Sequence, residues 1–139
     1  MSAFSDYAEA KILDLLFNGV AFTAPSVWVA LYTTDPTDAK SGTEATGGSY
    51  ARVRVYANGG GTPDWTLAAV DAPGYKIANH DDVTFPSATV SWGTITHVGA
   101  LDASTAGNLL MHGQLTTPKA VGVGDTFKFT AADLIWRAE

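Results

Sequence analysis

At 139 residues the chain fits one domain, 1–139, large enough to close a hydrophobic core without disulfides or a structural metal, and its lack of cysteine excludes staples and thiolate ligands. Eight Lys and Arg against fourteen Asp and Glu leave a net charge of −6, the wrong sign for neutralising phosphates, so nucleic acid is excluded as a partner; no basic block is present to hold an anionic membrane. With 46% hydrophobic and 16% charged residues the chain is more apolar than so small a body requires, and part of its surface is expected to meet other chains.

The opening Met1-Ser2-Ala3-Phe4-Ser5-Asp6 carries acid where a secretory signal would be positive, which predicts a soluble chain made in the cytoplasm without processing. One amphipathic helix is expected within Met1–Gly19. Phe4, Ala8, Ile12, Leu15 and Leu16 recur at helical spacing, Asp6 and Glu9 suit the positive end of the helix dipole, and Asn18-Gly19 makes a left-handed stop. Leu13 and Phe17 widen the apolar stripe, which predicts a helix lying in a groove and contacted from more than one side. No apolar run approaches the roughly 20 residues of a membrane-spanning helix.

After Pro25 the period becomes two. Val27, Val29 and Leu31 alternate with Trp28, Ala30 and Tyr32, as in a strand covered on both faces. Thr34 to Asp38 is turn chemistry, and Lys40 to Ser49, with three glycines, reads as a long mobile loop. Tyr50 to Tyr56 reads as a half-buried strand: Ala51, Val53 and Val55 point inward, and Tyr50, Arg52, Arg54 and Tyr56 form an outward ladder. Gly59-Gly60-Gly61 breaks the chain, and 64–82 is irregular apart from a short strand at Tyr75–Ala78. Strand patterns return at Val83–Phe85, Val90–Leu101, Asn108–Leu115, Thr126–Phe129 and Leu134–Trp136, with turn signals between them. The expected fold is mainly β: an antiparallel β-sandwich or jelly-roll-like barrel over 25–139, with one N-terminal α-helix over 1–19.

Little in the pattern points to chemistry. His80, His97 and His112 fall on different elements without the spacing of a zinc site, and His97 and His112 read as strand residues whose ring nitrogens meet backbone or water. Ser91, His97 and Asp102 lack the sharp glycine-flanked elbow that a serine nucleophile needs. Asp64, Asp71, Asp81 and Asp82 have the setting of solvated turn residues, and neither glycine-rich run precedes a helix that would receive a phosphate. No catalytic residue, metal site or cofactor is expected. Binding is the better reading: Arg and Tyr are enriched at interface hot spots, so the Tyr50, Arg52, Arg54 and Tyr56 face is either an interaction surface or a solvated strand face. Trp28 and Trp92 are expected in the core, whereas Trp65 and Trp136 are candidate exposed anchors, and such rings also serve as sugar platforms. Phe4 and Tyr7, in the N-terminal segment, complete the set of interface candidates.

Phe4-Ser5-Asp6-Tyr7, Lys11 to Phe17, Val29 to Thr37 and Gly48-Ser49-Tyr50-Ala51-Arg52 resemble small virion proteins of tailed bacteriophages, as do Val83-Thr84-Phe85-Pro86, Ser91 to His97, Gly107 to Leu110 and Gly124-Asp125-Thr126-Phe127. The segments keep one order over nearly the whole chain. Members of this group are commonly labelled tail-fibre proteins, and similar β-rich phage proteins act as trimeric cement or decoration proteins on the capsid. The resemblance implies a virion structural protein, most readily a homotrimeric capsid cement protein bound to the major capsid protein, with a tail fibre, baseplate or tip component bound to tail proteins as the alternative. The N-terminal helix and the Lys40–Ser49 loop are the candidate gripping elements.

Overall fold

In the computed structural model, which describes residues 2–138, ten strands and one helix follow one another. They are β1 (Ser2–Phe4), α1 (Asp6–Phe17), β2 (Val27–Tyr32), β3 (Val53–Val55), β4 (Ala69–Asp71), β5 (Gly74–Ala78), β6 (Val83–Thr84), β7 (Gly93–Leu101), β8 (Leu109–Val121), β9 (Lys128–Phe129) and β10 (Ile135–Ala138). The strands form a five-stranded sheet in the order β1-β8-β7-β2-β3, a three-stranded sheet β10-β5-β4 and the pair β6-β9, all antiparallel. The mainly β, antiparallel fold with one helix near the N-terminus is the one expected. No helix among the described residues is long and apolar enough to cross a membrane.

Strand β2 shows why both faces of the large sheet are covered. Val29 and Leu31 enter the main core with Val55, Ile95 and Val98, while Ala30 and Tyr32 join Leu101 and Leu109 on the opposite side. Tyr32 lies over β7 because residue 99 is glycine: a Cβ there would stand 2.9 Å from the Tyr32 ring and 3.0 Å from a Leu109 methyl. The main core is built around a run of aromatic rings. Tyr50 meets Trp92 edge-on at 5.2 Å and stacks on Phe85 at 6.5 Å; Phe85 meets Phe127 edge-on at 5.8 Å, and Phe127 meets Phe129 at 5.1 Å. These are the offset and T-shaped arrangements that ring quadrupoles favour.

The N-terminus departs from the expected continuous helix. Residues 2–4 pair with β8, Ser2 opposite Gly113 and Phe4 opposite Met111, so Phe4 belongs to a strand and not to the helical stripe. Ser5 then switches the chain into α1. Its hydroxyl accepts from the Ala8 N–H at 3.2 Å and donates to the Leu109 carbonyl, while its own N–H donates to Leu110 O at 3.0 Å. Ser5→Ala removes a helix cap and leaves a buried carbonyl short of a donor, and is expected to lower stability by about 2 kcal/mol in urea unfolding. At the other end Gly19 takes φ of +66°, the left-handed stop expected of Asn18-Gly19.

The helix is not gripped from several sides. Ala8 is its single buried residue, and Leu13, Leu16 and Phe17 stand in solvent. The Lys40–Ser49 segment also differs from a free loop: Ala45 N–H donates to Leu31 O at 2.8 Å, Thr33 N–H to Thr43 O at 2.9 Å, and Ala45 is buried. Strand β8 runs on to Val121, well past the predicted Leu115, because β7 supplies partners as far as Gly93↔Val121. Strand β4 has no counterpart among the predicted elements; it pairs with β5 across Asp71↔Gly74.

Candidate functional site

The Tyr50 to Tyr56 ladder is divided by the fold. Only Val53–Val55 pair as a strand, Ala51 is exposed, and the Tyr50 and Arg52 side chains turn inward. Arg52 grips both oxygens of Glu44, Nε to Oε1 at 2.8 Å and Nη2 to Oε2 at 2.7 Å, and its Nη1 donates to the carbonyls of Ala103 at 2.7 Å and Ala106 at 2.9 Å. The Tyr50 hydroxyl donates to Glu44 Oε1 at 2.9 Å and accepts from the Leu31 N–H at 3.0 Å. Glu44, absent from the expected set, is therefore the hub that fixes its own loop, β2 and the 102–107 turn. The hydrogen bond to Glu44 holds the Arg52 guanidinium above its ordinary pKa, so Arg52 stays charged.

Burial pushes the Tyr32 phenol up to about 12, reinforced by the Glu44 charge, and burial is also the largest cause raising Tyr50. A raised folded pKa gives stability that is complete below the ordinary value of 10 and is lost as pH climbs toward the folded value. Alkaline unfolding is therefore expected to begin above pH 10, with Tyr32 and Tyr50 ionising only as the circular dichroism signal collapses. At the acid end the sign reverses. The Gly59 N–H holds Asp64 below its ordinary 3.8, Arg137 does the same for Asp71 and Lys128 for Asp82, so their contribution is present above pH 3.8 and fades as pH falls through the lower folded values.

Arg54 and Tyr56 remain at the surface as a cation–π pair, guanidinium carbon 4.4 Å from the ring centroid, with Arg54 also donating to Ser26 Oγ at 2.9 Å. They border an apolar groove of about 670 Å³ beneath α1 and the connection that follows it. Phe4, Ala8 and Ile12 form one wall; Val27, Val55, Met111 and Ile77 form the floor and far side; Trp65, Leu67 and Trp136 close it. Five of the eight expected interface residues, Phe4, Arg54, Tyr56, Trp65 and Trp136, thus line one groove. Tyr7 lies apart, its ring 5.6 Å from Lys11 Nζ, and Tyr50 and Arg52 are interior.

Trp65 and Trp136 are not exposed anchors, being 6% and 4% accessible. Trp65 pairs with Asn79 across an isolated bridge, and the buried Asn79 amide, bonded to Asp81 O, Thr130 O and Leu134 N–H, draws that loop inward. Neither ring has the open face a sugar platform needs. Trp92 is in the core as expected, and Trp28 is half-buried.

The polar clusters have structural occupations. Asp64, His80 and Asp81 bring donor atoms within 4.8 Å of one another, an O,O,N set that suits a divalent cation in composition. Asp64 is nonetheless buried, not a solvated turn residue, and its carboxylate accepts from Gly59 N–H at 2.7 Å and meets His80 Nδ1 at 3.0 Å, closing the 56–64 turn. His97 and His112 face carboxylates and not backbone or water alone: His112 lies 2.8 Å from Asp38 and 3.5 Å from Asp35, and His97 lies 3.9 Å from Asp35. Together they hold the Thr34–Asp38 turn on the sheet. Ser91 donates to Val121 O, and Asp102 accepts from Asn108, so neither is turned to His97. A second cavity of about 520 Å³ along Gly113–Lys119 carries Lys128 and Arg137, which are paired with Asp82 and Asp71.

No curated protein matches the chain. Residues 3–137, from β1 through β10, match the family described as podophage GP4 fiber I protein gp80. With the match running over almost its full length, the chain belongs to the podophage GP4 fiber I protein gp80 family.

Proposed function

We propose that the chain is a structural subunit of a tailed-phage tail fibre, a non-enzymatic component that assembles with copies of itself and with other tail proteins. Membership in a phage fibre family makes it virion-associated, and the match of residues 3–137 to a fibre family is the observation that supports the tail reading. The side chains that usually supply nucleophiles and bases are tied into pairs that hold turns, as for His112 with Asp38 and Asp64 with His80, whereas the unsatisfied surface is apolar. A protein of this kind works additively, each copy contributing modest contacts that repetition multiplies.

A capsid cement role is the second reading, and the packing of the described strands around one main core favours it. Immunogold electron microscopy of the source particle with antibodies to this chain separates the two. Label on the tail supports the fibre reading, label spread over the head replaces it with the cement reading, and unlabelled particles overturn both.

A further inference from the structure

We infer that the outward stripe of α1, Leu13, Leu16 and Phe17, seats in the apolar groove of a second copy of this chain. The apolar stripe of the helix is wider than the groove it borders. Ala8 and Ile12 wall the groove of their own chain, while Leu13, Leu16 and Phe17 are 56%, 68% and 79% exposed at i, i+3 and i+4 spacing, continued by Val20. Because Leu13 and Phe17 point away from the groove that the same helix borders, they do not fill it within one molecule. Every copy therefore presents both a ridge and a groove. Such a contact is heterologous, and repeated head to tail it closes into a ring when the rotation allows.

Area and charge identify a second copy as the occupant. The exposed part of Leu13, Leu16, Phe17 and Val20 amounts to roughly 400 Å² of apolar surface, within the roughly 300–600 Å² of the largest patch on a free monomer, a size at which such patches are often functional. The ridge thus supplies about half of the ~800 Å² that each partner buries in a stable interface, and Leu67, 73% exposed on the groove rim, adds to the opposing surface. Arg54 on the same rim meets Tyr56 and Ser26 but no carboxylate among the described residues, and Asp14, which accepts from the Asn18 amide, is the one charge between Leu13 and Phe17, so a seated helix brings an acid to a base without a counter-charge.

The inference rests on the self-association proposed above but not on the place in the particle, which labelling tests separately; sedimentation equilibrium of the full chain tests the contact itself. The wild-type chain is expected at a multiple of 14.5 kDa. Leu16→Glu/Phe17→Glu, which alters only the ridge, and Leu67→Glu, which alters only the groove, should each weaken association more than tenfold while circular dichroism and melting are unchanged. Mixing the two variants should restore one contact, an intact ridge meeting an intact groove, and give a two-chain species that neither forms alone. A single-chain mass for the wild type at high micromolar concentration overturns the inference, as does an assembly indifferent to the ridge variant. Dissociation by the ridge variant with no effect of Leu67→Glu and no rescue on mixing also overturns it, since the ridges would then be packing on one another.

Discussion

Arg52→Ala is expected to lower the unfolding free energy by about 3 kcal/mol, because it strands the Glu44 carboxylate in a setting built for a bidentate cation. The Arg52 side chain is 5% exposed and that of Glu44 25%, so little water reaches the pair to replace what is lost. Two further acceptors, the carbonyls of Ala103 and Ala106, lose their donor in the same substitution. The 102–107 turn and the Lys40–Ser49 loop are then released together, and hydrogen exchange should rise in both segments before the sheet itself opens. Arg52→Lys is expected to recover only part of the loss, as an ammonium cannot reproduce the planar fork. Removing both partners in Arg52→Ala/Glu44→Ala should cost clearly less than the sum of the single changes, with a coupling of about 2 kcal/mol in a double-mutant cycle. Additive costs would mean that the pair is screened like an ordinary surface bridge.

The same residue shows where sequence patterning stops. Alternation from Tyr50 to Tyr56 places Arg52 outside because small apolar residues flank it, and nothing local reveals that Glu44 and two carbonyls more than fifty residues away will enclose it. Trp65 is a parallel case. Its Pro- and Asp-containing surroundings read as an exposed loop, but Asn79, buried by contacts to Asp81, Thr130 and Leu134, fixes the bridge that covers the indole. Features with a local cause were legible: the unbroken apolar run of β2, covered on both faces, and the Gly19 stop at positive φ. Strand β1 was not, since three residues carry no period and their pairing with β8 is wholly long-range.

The surface beneath and beyond α1 was legible in composition but not in place. Leu13, Leu16 and Phe17 widen the apolar stripe, and a moment argument sends such residues into the chain's own core. Hydrophobic pattern reports only that a surface prefers to leave water; whether its cover comes from the same chain is decided by topology. Here the Ser5 junction sets the helix across β8 with Ala8 downward, which commits the other side to solvent. The groove residues come from segments as far apart as Phe4 and Trp136, so their convergence had no sequence signal beyond their being large and apolar.

Phe85→Ala is expected to be the most damaging single truncation, at about 4 kcal/mol, because Phe85 is the middle link of the ring series. It is 1% exposed, stacks on Tyr50 at an interplanar angle of 13° and meets Phe127 at 88°, so its loss opens a cavity and unlinks two aromatic pairs at once. The backbone offers little room to collapse into that space: Phe85 N–H donates to Phe127 O at 2.9 Å, and Val83 pairs with Phe129, which pins both sides of the void. A site held open in this way sits at the costly end of large-to-small substitutions. Thermal melting should fall by roughly 12 °C for a chain of this size. Phe85→Leu, which keeps most of the volume but not the ring geometry, should cost about 1–2 kcal/mol. If alanine and leucine cost the same, the aromatic geometry rather than the filled volume carries the stability; if leucine is neutral, volume alone does, and the stacked series is a consequence of packing and not a cause of it.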